Sequence, residues 1–175
     1  MVGLSRNAVA LELHDPSWHD AYREEAERLR NLVGEYVEAV EHVGSTAIKG
    51  IPAKPIVDVL VVVSDGKTDA MAASLDANGY ERRPNDDVPD RVFLVRGPPD
   101  CRTHYLSLVE VDSNCHREQV ALRDYLREYP DVAAAYASLK RDLAAMYPEN
   151  REVYTAEKSA FVEDVLDRAL PEYAP

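Results

Sequence analysis

A Gly-Ser turn set between two strands constrains this chain more than any other feature. Val40-Glu41-His42-Val43-Gly44-Ser45-Thr46-Ala47 reads as a strand that delivers the turn. After a short excursion, Pro55-Ile56-Val57-Asp58-Val59-Leu60-Val61-Val62-Val63 reads as a second, apolar strand with one carboxylate set into it. A desolvated carboxylate is costly unless a cation or hydrogen-bond donors meet it. Asp58 is therefore a candidate metal ligand or general base.

The 175 residues suit one domain, divided at about residue 112 into a mixed α/β core and a helical subdomain over 113–175. A hydrophobic content of 46% with only 7 glycines excludes a disordered or collagen-like chain. No apolar run approaches the roughly 18 residues of a membrane span, and no charged-then-apolar leader opens the chain, so a soluble cytoplasmic protein is expected. Cys101 and Cys115 stand in no metal-ligand spacing and are expected as two free thiols. Against 20 basic residues there are 32 acidic ones, a net charge of −12, which disfavours extended nucleic acid as a partner. A local basic pocket for a small phosphorylated ligand or nucleotide remains compatible with that charge, because near contacts outweigh a screened global field.

Along the chain, residues 9–13 suggest a short strand. Asp15-Pro16 then opens a helix over about 16–32, with Trp18, Tyr22, Ala26 and Leu29 on its inner stripe and Glu24, Glu25 and Arg28 outside it. Strands are expected near 36–43 and 55–63, a helix over 68–78, and a polar loop over 81–89. A hairpin over 91–96 and 103–111 turns at Gly97-Pro98-Pro99-Asp100. Beyond it only helical patterns remain, near 115–128, 132–146 and 152–170. The expected class is α/β (α+β): a mixed, mostly antiparallel sheet flanked by helices, with a C-terminal helical bundle beside it.

Gly44 lets a ligand approach the backbone, and Ser45 and Thr46 offer hydroxyls and amides to phosphate. Lys54 lies four residues before Asp58 and supplies a compact charge. His42 and His104 are candidates for proton transfer, although His104 shares its parity with Leu106 and Leu108, which also suits a core position. Arg123, Arg127 and Lys140 lie on neighbouring helical segments and are expected to form a cationic wall facing the turn.

A Gly-Ser turn followed about a dozen residues later by a strand carboxylate resembles the polymerase-beta-like nucleotidyltransferases. More of the chain is similar to the GrpB protein family. The shared segments include Glu41-His42-Val43-Gly44-Ser45-Thr46-Ala47, Lys54-Pro55-Ile56-Val57-Asp58, Arg123-Asp124-Tyr125-Leu126-Arg127, Tyr136-Ala137-Ser138-Leu139-Lys140 and Tyr154-Thr155-Ala156-Glu157-Lys158-Ser159. The resemblance implies a nucleotidyltransferase-like fold, a turn that holds phosphates, and strand carboxylates that hold Mg2+ for transfer from a nucleoside triphosphate to a small acceptor. The alternative is a non-catalytic accessory module that keeps the phosphate cradle and binds a nucleotide or coenzyme-A-like ligand; family members also occur fused to dephospho-CoA kinase domains. No GxxxxGK[ST] phosphate loop is present, so the kinase activity itself does not carry over.

One departure bears on the chemistry. Active transferases carry an acid-x-acid pair on the second strand, whereas Ile56 and Leu60 occupy the positions that would pair with Asp58. Further metal ligands would have to come from Glu110 or Asp112 at the end of the next strand, or from Glu41.

Overall fold

A computed structural model describes residues 2–6, 8–84 and 88–175. In chain order the elements are α1 (Ser17–Val33), β1 (Val37–Val43), β2 (Val57–Val63), α2 (Thr68–Asp76), β3 (Tyr80–Arg82), β4 (Val92–Arg96), β5 (His104–Glu110), α3 (Asn114–Glu128), α4 (Pro130–Met146) and α5 (Arg151–Tyr173). A short 3-10 turn, Ser45–Ala47, follows β1. Asp15 caps α1, its Oδ1 accepting the Ser17 amide at 2.9 Å.

The five strands run in the order β1-β2-β5-β4-β3. Only β2 and β5 pair in parallel; the other neighbours are antiparallel. This is the mixed, mostly antiparallel sheet expected from the sequence. Strand alternation divides its residues between two faces. Val57, Val59, Val61 and Val63 join Leu94, Leu106 and Leu108 in a core with Trp18, Ala26 and Leu29 of α1 and Met71 and Leu75 of α2. On the other face, Val43, Leu60, Val62 and Val109 pack against Cys115 and Val120 of α3. Nearer the start of β5, Tyr105 packs with Ile56 and Val95.

The helical half is tied to the sheet by the excursion between β1 and β2. Ile48 and Ile51 of that segment are buried among Ala121, Tyr125 and Leu126 of α3, Ala133, Tyr136 and Ala137 of α4, and Val165 and Ala169 of α5. At roughly 1.5–3 kcal/mol for each buried large aliphatic side chain, these two residues fix how the bundle sits over the turn. Among the described residues, no helix is long and apolar enough to cross a membrane. Both cysteines are free, Cys101 exposed and Cys115 buried.

Three expectations need correction. Residues 9–13 form no strand; Glu12 makes an isolated bridge to Ala53, and Leu13 is 79% exposed, so the alternation finds no partner strand. Glu25, placed on the outside of α1 from the pattern, is buried. Its carboxylate accepts from Tyr80 Oη at 2.7 Å and from Arg96 Nη1, and those partners offset its desolvation. The loop expected over 81–89 yields its first two residues to the edge strand β3, while Asn85, Asp86 and Asp87 lie outside the described residues.

Candidate functional site

In the antiparallel register Val43 stands opposite Asp58, so the chain leaves β1 as Gly44 directly against the carboxylate. Gly44 has φ 67°, and a Cβ added there would lie 2.4 Å from Asp58 Oδ2. Only glycine fits both the backbone and the contact. The following turn is clamped from α3, where Arg127 donates to the Ala47 carbonyl from Nε at 3.2 Å and from Nη2 at 2.9 Å. Ser45 is half-buried at the rim.

Around Asp58 the sheet is otherwise apolar. Its neighbours in register are Val43 and Tyr105, and two residues away along its own strand direction lie buried Ile56 and Leu60. The polar groups arrive from outside the sheet and are cationic. Lys54 and Lys158 both bring Nζ over the ring of Tyr154, at 5.5 and 5.0 Å from its centroid. Arg151 lies over the ring of Tyr105 at 5.2 Å, and Lys140 lies over Tyr136 at 4.8 Å while donating to the Pro52 carbonyl at 2.5 Å. None of these four cations is ion-paired among the described residues.

The electrostatics follow from that crowding. Burial raises the Asp58 carboxyl above its ordinary value, and Lys54, Lys158, Arg151 and Arg91 offset only part of that rise. Burial lowers Lys54 to about 7, helped by Lys158 and Arg151 and opposed by Asp58. Lys140 is likewise lowered to about 7, by burial first and then by Lys158 and Lys54. This cluster is thus short of negative charge in a protein that carries −12 overall.

Several residues expected in the site are elsewhere. Arg123 is buried, but its donors are engaged: Nη1 with Glu41 Oε2 at 2.6 Å and the His42 carbonyl at 3.2 Å, Nε and Nη2 with Asp124 at 2.7 and 2.8 Å. It holds α3 to β1, and Glu41 is its counter-ion. His42 projects to the opposite face of the sheet from Asp58, stacked on Tyr22 at 4.7 Å with Nε2 hydrogen-bonded to the Thr46 hydroxyl at 3.0 Å. Burial, with His19 and Arg127 nearby, lowers it to about 3, so it is neutral and structural. The Thr46 side chain is thereby turned inward. His104 also lies on that far face, where it lines a cavity of about 460 Å³ with Ala21, Glu25 and Arg96, and burial lowers its pKa. Its shared parity with Leu106 and Leu108 is what places it there.

Glu110 and Asp112 do not join Asp58. Asp58 is in register with Tyr105 and Val63 with Glu110, five residues along the strands, or roughly 16 Å. Glu110 instead accepts the Gly66 amide at 2.7 Å. Among the described residues, no group of three His, Cys, Asp or Glu side chains is arranged to hold a metal ion. A magnesium pair needs oxygen ligands around the carboxylate, whereas Asp58 is ringed by Val43, Ile56, Leu60 and Tyr105 and overhung by cations, so these residues do not fit it.

Of the expected residues, the structure brings together Gly44, Ser45, Lys54, Asp58 and Lys140. Lys158 and Arg151 of α5 complete the group, beyond the residues expected from the sequence. The signal that finds them is helical spacing: Arg151, Tyr154 and Lys158 recur at intervals of three and four, on one face of α5.

The fold defines the class. The chain is similar to the crystal structure of the Cid1 poly(U) polymerase with MgGTP bound, at a TM-score of 0.51 and 12% identity over 77% of this chain and 44% of that one, so it has a nucleotidyltransferase-like fold. Within that class, residues 8–168 match the family described as GrpB protein. It is 34% identical to the glutamate-rich protein GrpB of Alkalihalophilus pseudofirmus, over 95% of this chain and 99% of the relative. The crystal structure of the conserved protein GrpB from Enterococcus faecalis superposes with a TM-score of 0.84 at 33% identity, covering 93% of this chain and 98% of that one. The chain belongs to the GrpB family.

Proposed function

We propose that the cleft between β2 and α5 binds the phosphate groups of a nucleotide-like ligand, and that the chain serves as a binding or accessory module on a nucleotidyltransferase-like fold. One observation carries this reading: Lys54, Lys140, Lys158 and Arg151, none of them in a salt bridge among the described residues, gather around the single carboxylate that touches Gly44. Unneutralised cations held by aromatic rings and a buried carbonyl are preorganised for an anion, so little ordering is needed on binding. Calorimetric titration with ATP, GTP, CTP and UTP tests it. Binding by at least one nucleotide is expected, weakened about tenfold by Lys158→Ala, one charge contact's worth. Heat-silent titrations with all four, confirmed by unshifted melting temperatures, would remove the reading.

A second reading, nucleotidyl transfer to a small acceptor, is favoured by the contact of the Asp58 carboxylate with the Gly-Ser turn. Its test is release of pyrophosphate from a nucleoside triphosphate in the presence of magnesium and candidate acceptors. Release that Asp58→Ala abolishes would establish transfer; release that persists in the variant would assign the activity to a contaminant.

A further inference from the structure

Resting on the nucleotide-site reading, we infer that the site takes its polyphosphate free of divalent metal, with Lys54, Lys140, Lys158 and Arg151 in the place of the metal ions. The first ground is the shell of Asp58. A carboxylate that served a metal would have other oxygen ligands beside it, and its four strand neighbours are Val43, Ile56, Leu60 and Tyr105. The second is the balance of charge. With the lysines protonated and Asp58 ionised, four cations against one carboxylate leave the cluster at about +3, which repels a divalent cation and matches a free di- or triphosphate.

The third ground is how the cations are held. Tyr154, which is 1% exposed, carries two ammonium groups, and Lys140, 2% exposed, is fixed by the Pro52 carbonyl. Such positions keep like charges together before any ligand arrives. A surface set of lysines would instead relax away from one another into water. Asp58 offsets part of the cluster's charge, and Gly44 against it lets phosphate oxygens come close to the backbone.

The probe is inorganic tripolyphosphate, titrated into the full chain at constant ionic strength, once with EDTA and once with excess magnesium chloride, and repeated on Asp58→Asn and Lys158→Gln. Binding is expected in EDTA, with magnesium weakening it about tenfold by neutralising the probe. Lys158→Gln should weaken it by a similar factor, whereas Asp58→Asn, which removes a negative charge at nearly constant shape, should tighten it a few fold. Binding seen only with magnesium and lost in Asp58→Asn overturns the inference while leaving the nucleotide site in place. If neither tripolyphosphate nor any nucleotide binds under either condition, the site reading falls and the inference with it.

Discussion

Two cationic centres lie between the sheet and the helical half, and they are built in opposite ways. At the first, the Arg123 guanidinium meets Glu41, Asp124 and the His42 carbonyl, so charge and donors are answered within the protein. At the second, Lys54, Lys140, Lys158 and Arg151 share one carboxylate, with aromatic rings and a single carbonyl as their remaining support. The contrast separates a cation that holds structure from one held ready for something else. Proximity to the Gly-Ser turn does not make that distinction, since Arg123 and Arg127 lie as near in sequence logic as Lys140 does.

Removing Arg123 should produce the largest effect and show on which side of the comparison it falls. Taking one partner from a buried ion pair typically costs about 3–5 kcal/mol. Here the side chains of Glu41 and Asp124 are 37% and 31% exposed and regain water, so Arg123→Ala is expected to lose about 2–3 kcal/mol in urea denaturation. Nucleotide affinity of the folded variant should stay within about twofold of the parent's. A tenfold loss of affinity at unchanged stability would move Arg123 into the ligand site.

Gly44→Ala sharpens the comparison from the other side. A methyl group at 2.4 Å from Asp58 Oδ2, on a backbone with φ 67° and ψ −172°, must displace the carboxylate or the turn. A cost of about 1–2 kcal/mol is expected from the backbone strain, together with weaker nucleotide binding, because the methyl group stands where phosphate oxygens would approach the turn's backbone. Equal stability and affinity in thermal melts and titrations would show that the Gly44–Asp58 contact positions nothing.

The architecture was largely legible in the sequence because its signals are local. Gly44-Ser45, the apolar run ending at Val63 and the helical periodicity after residue 113 each need only a short window. Asp58 was legible for the same reason: a carboxylate in an apolar strand must have a partner. What escaped was long-range identity of partners. Arg123 looked like a phosphate ligand until Glu41 and Asp124 were seen to engage it. Glu110 looked like a companion of Asp58 until the parallel register set them five residues apart. His104 is the instructive middle case, since its parity placed it in the core while its strand suggested the site, and parity decided. Lys158 and Arg151 come from α5, more than ninety residues from Asp58 in the chain. Nothing in a local window links them to it; helical spacing marks them as one face without saying what that face meets.

The smallest expected effect concerns protons. Lys54 and Lys140 are lowered to about 7, facing Lys158, Arg151 and Asp58 in the first case and Lys158, Lys54, Asp58 and Arg141 in the second. An anion favours the charged ammonium and so raises both values on binding. Between pH 7 and those raised values the complex holds more protons than the free protein, so binding takes up protons and affinity falls as pH rises. Well below pH 7 both groups are protonated already and the dependence from them vanishes. From pH 7 to 8.5 a loss of about three- to tenfold is expected, with proton uptake visible as binding heats that differ between buffers of different ionisation enthalpy. His42, lowered to about 3, contributes nothing in this window. Any titration of the ligand itself is common to the parent and Lys140→Met, so the variant isolates the protein's share: its affinity should fall less steeply by about half. Identical slopes in the two proteins would show that Lys140 keeps its proton state on binding and belongs with Arg123 among the structural cations.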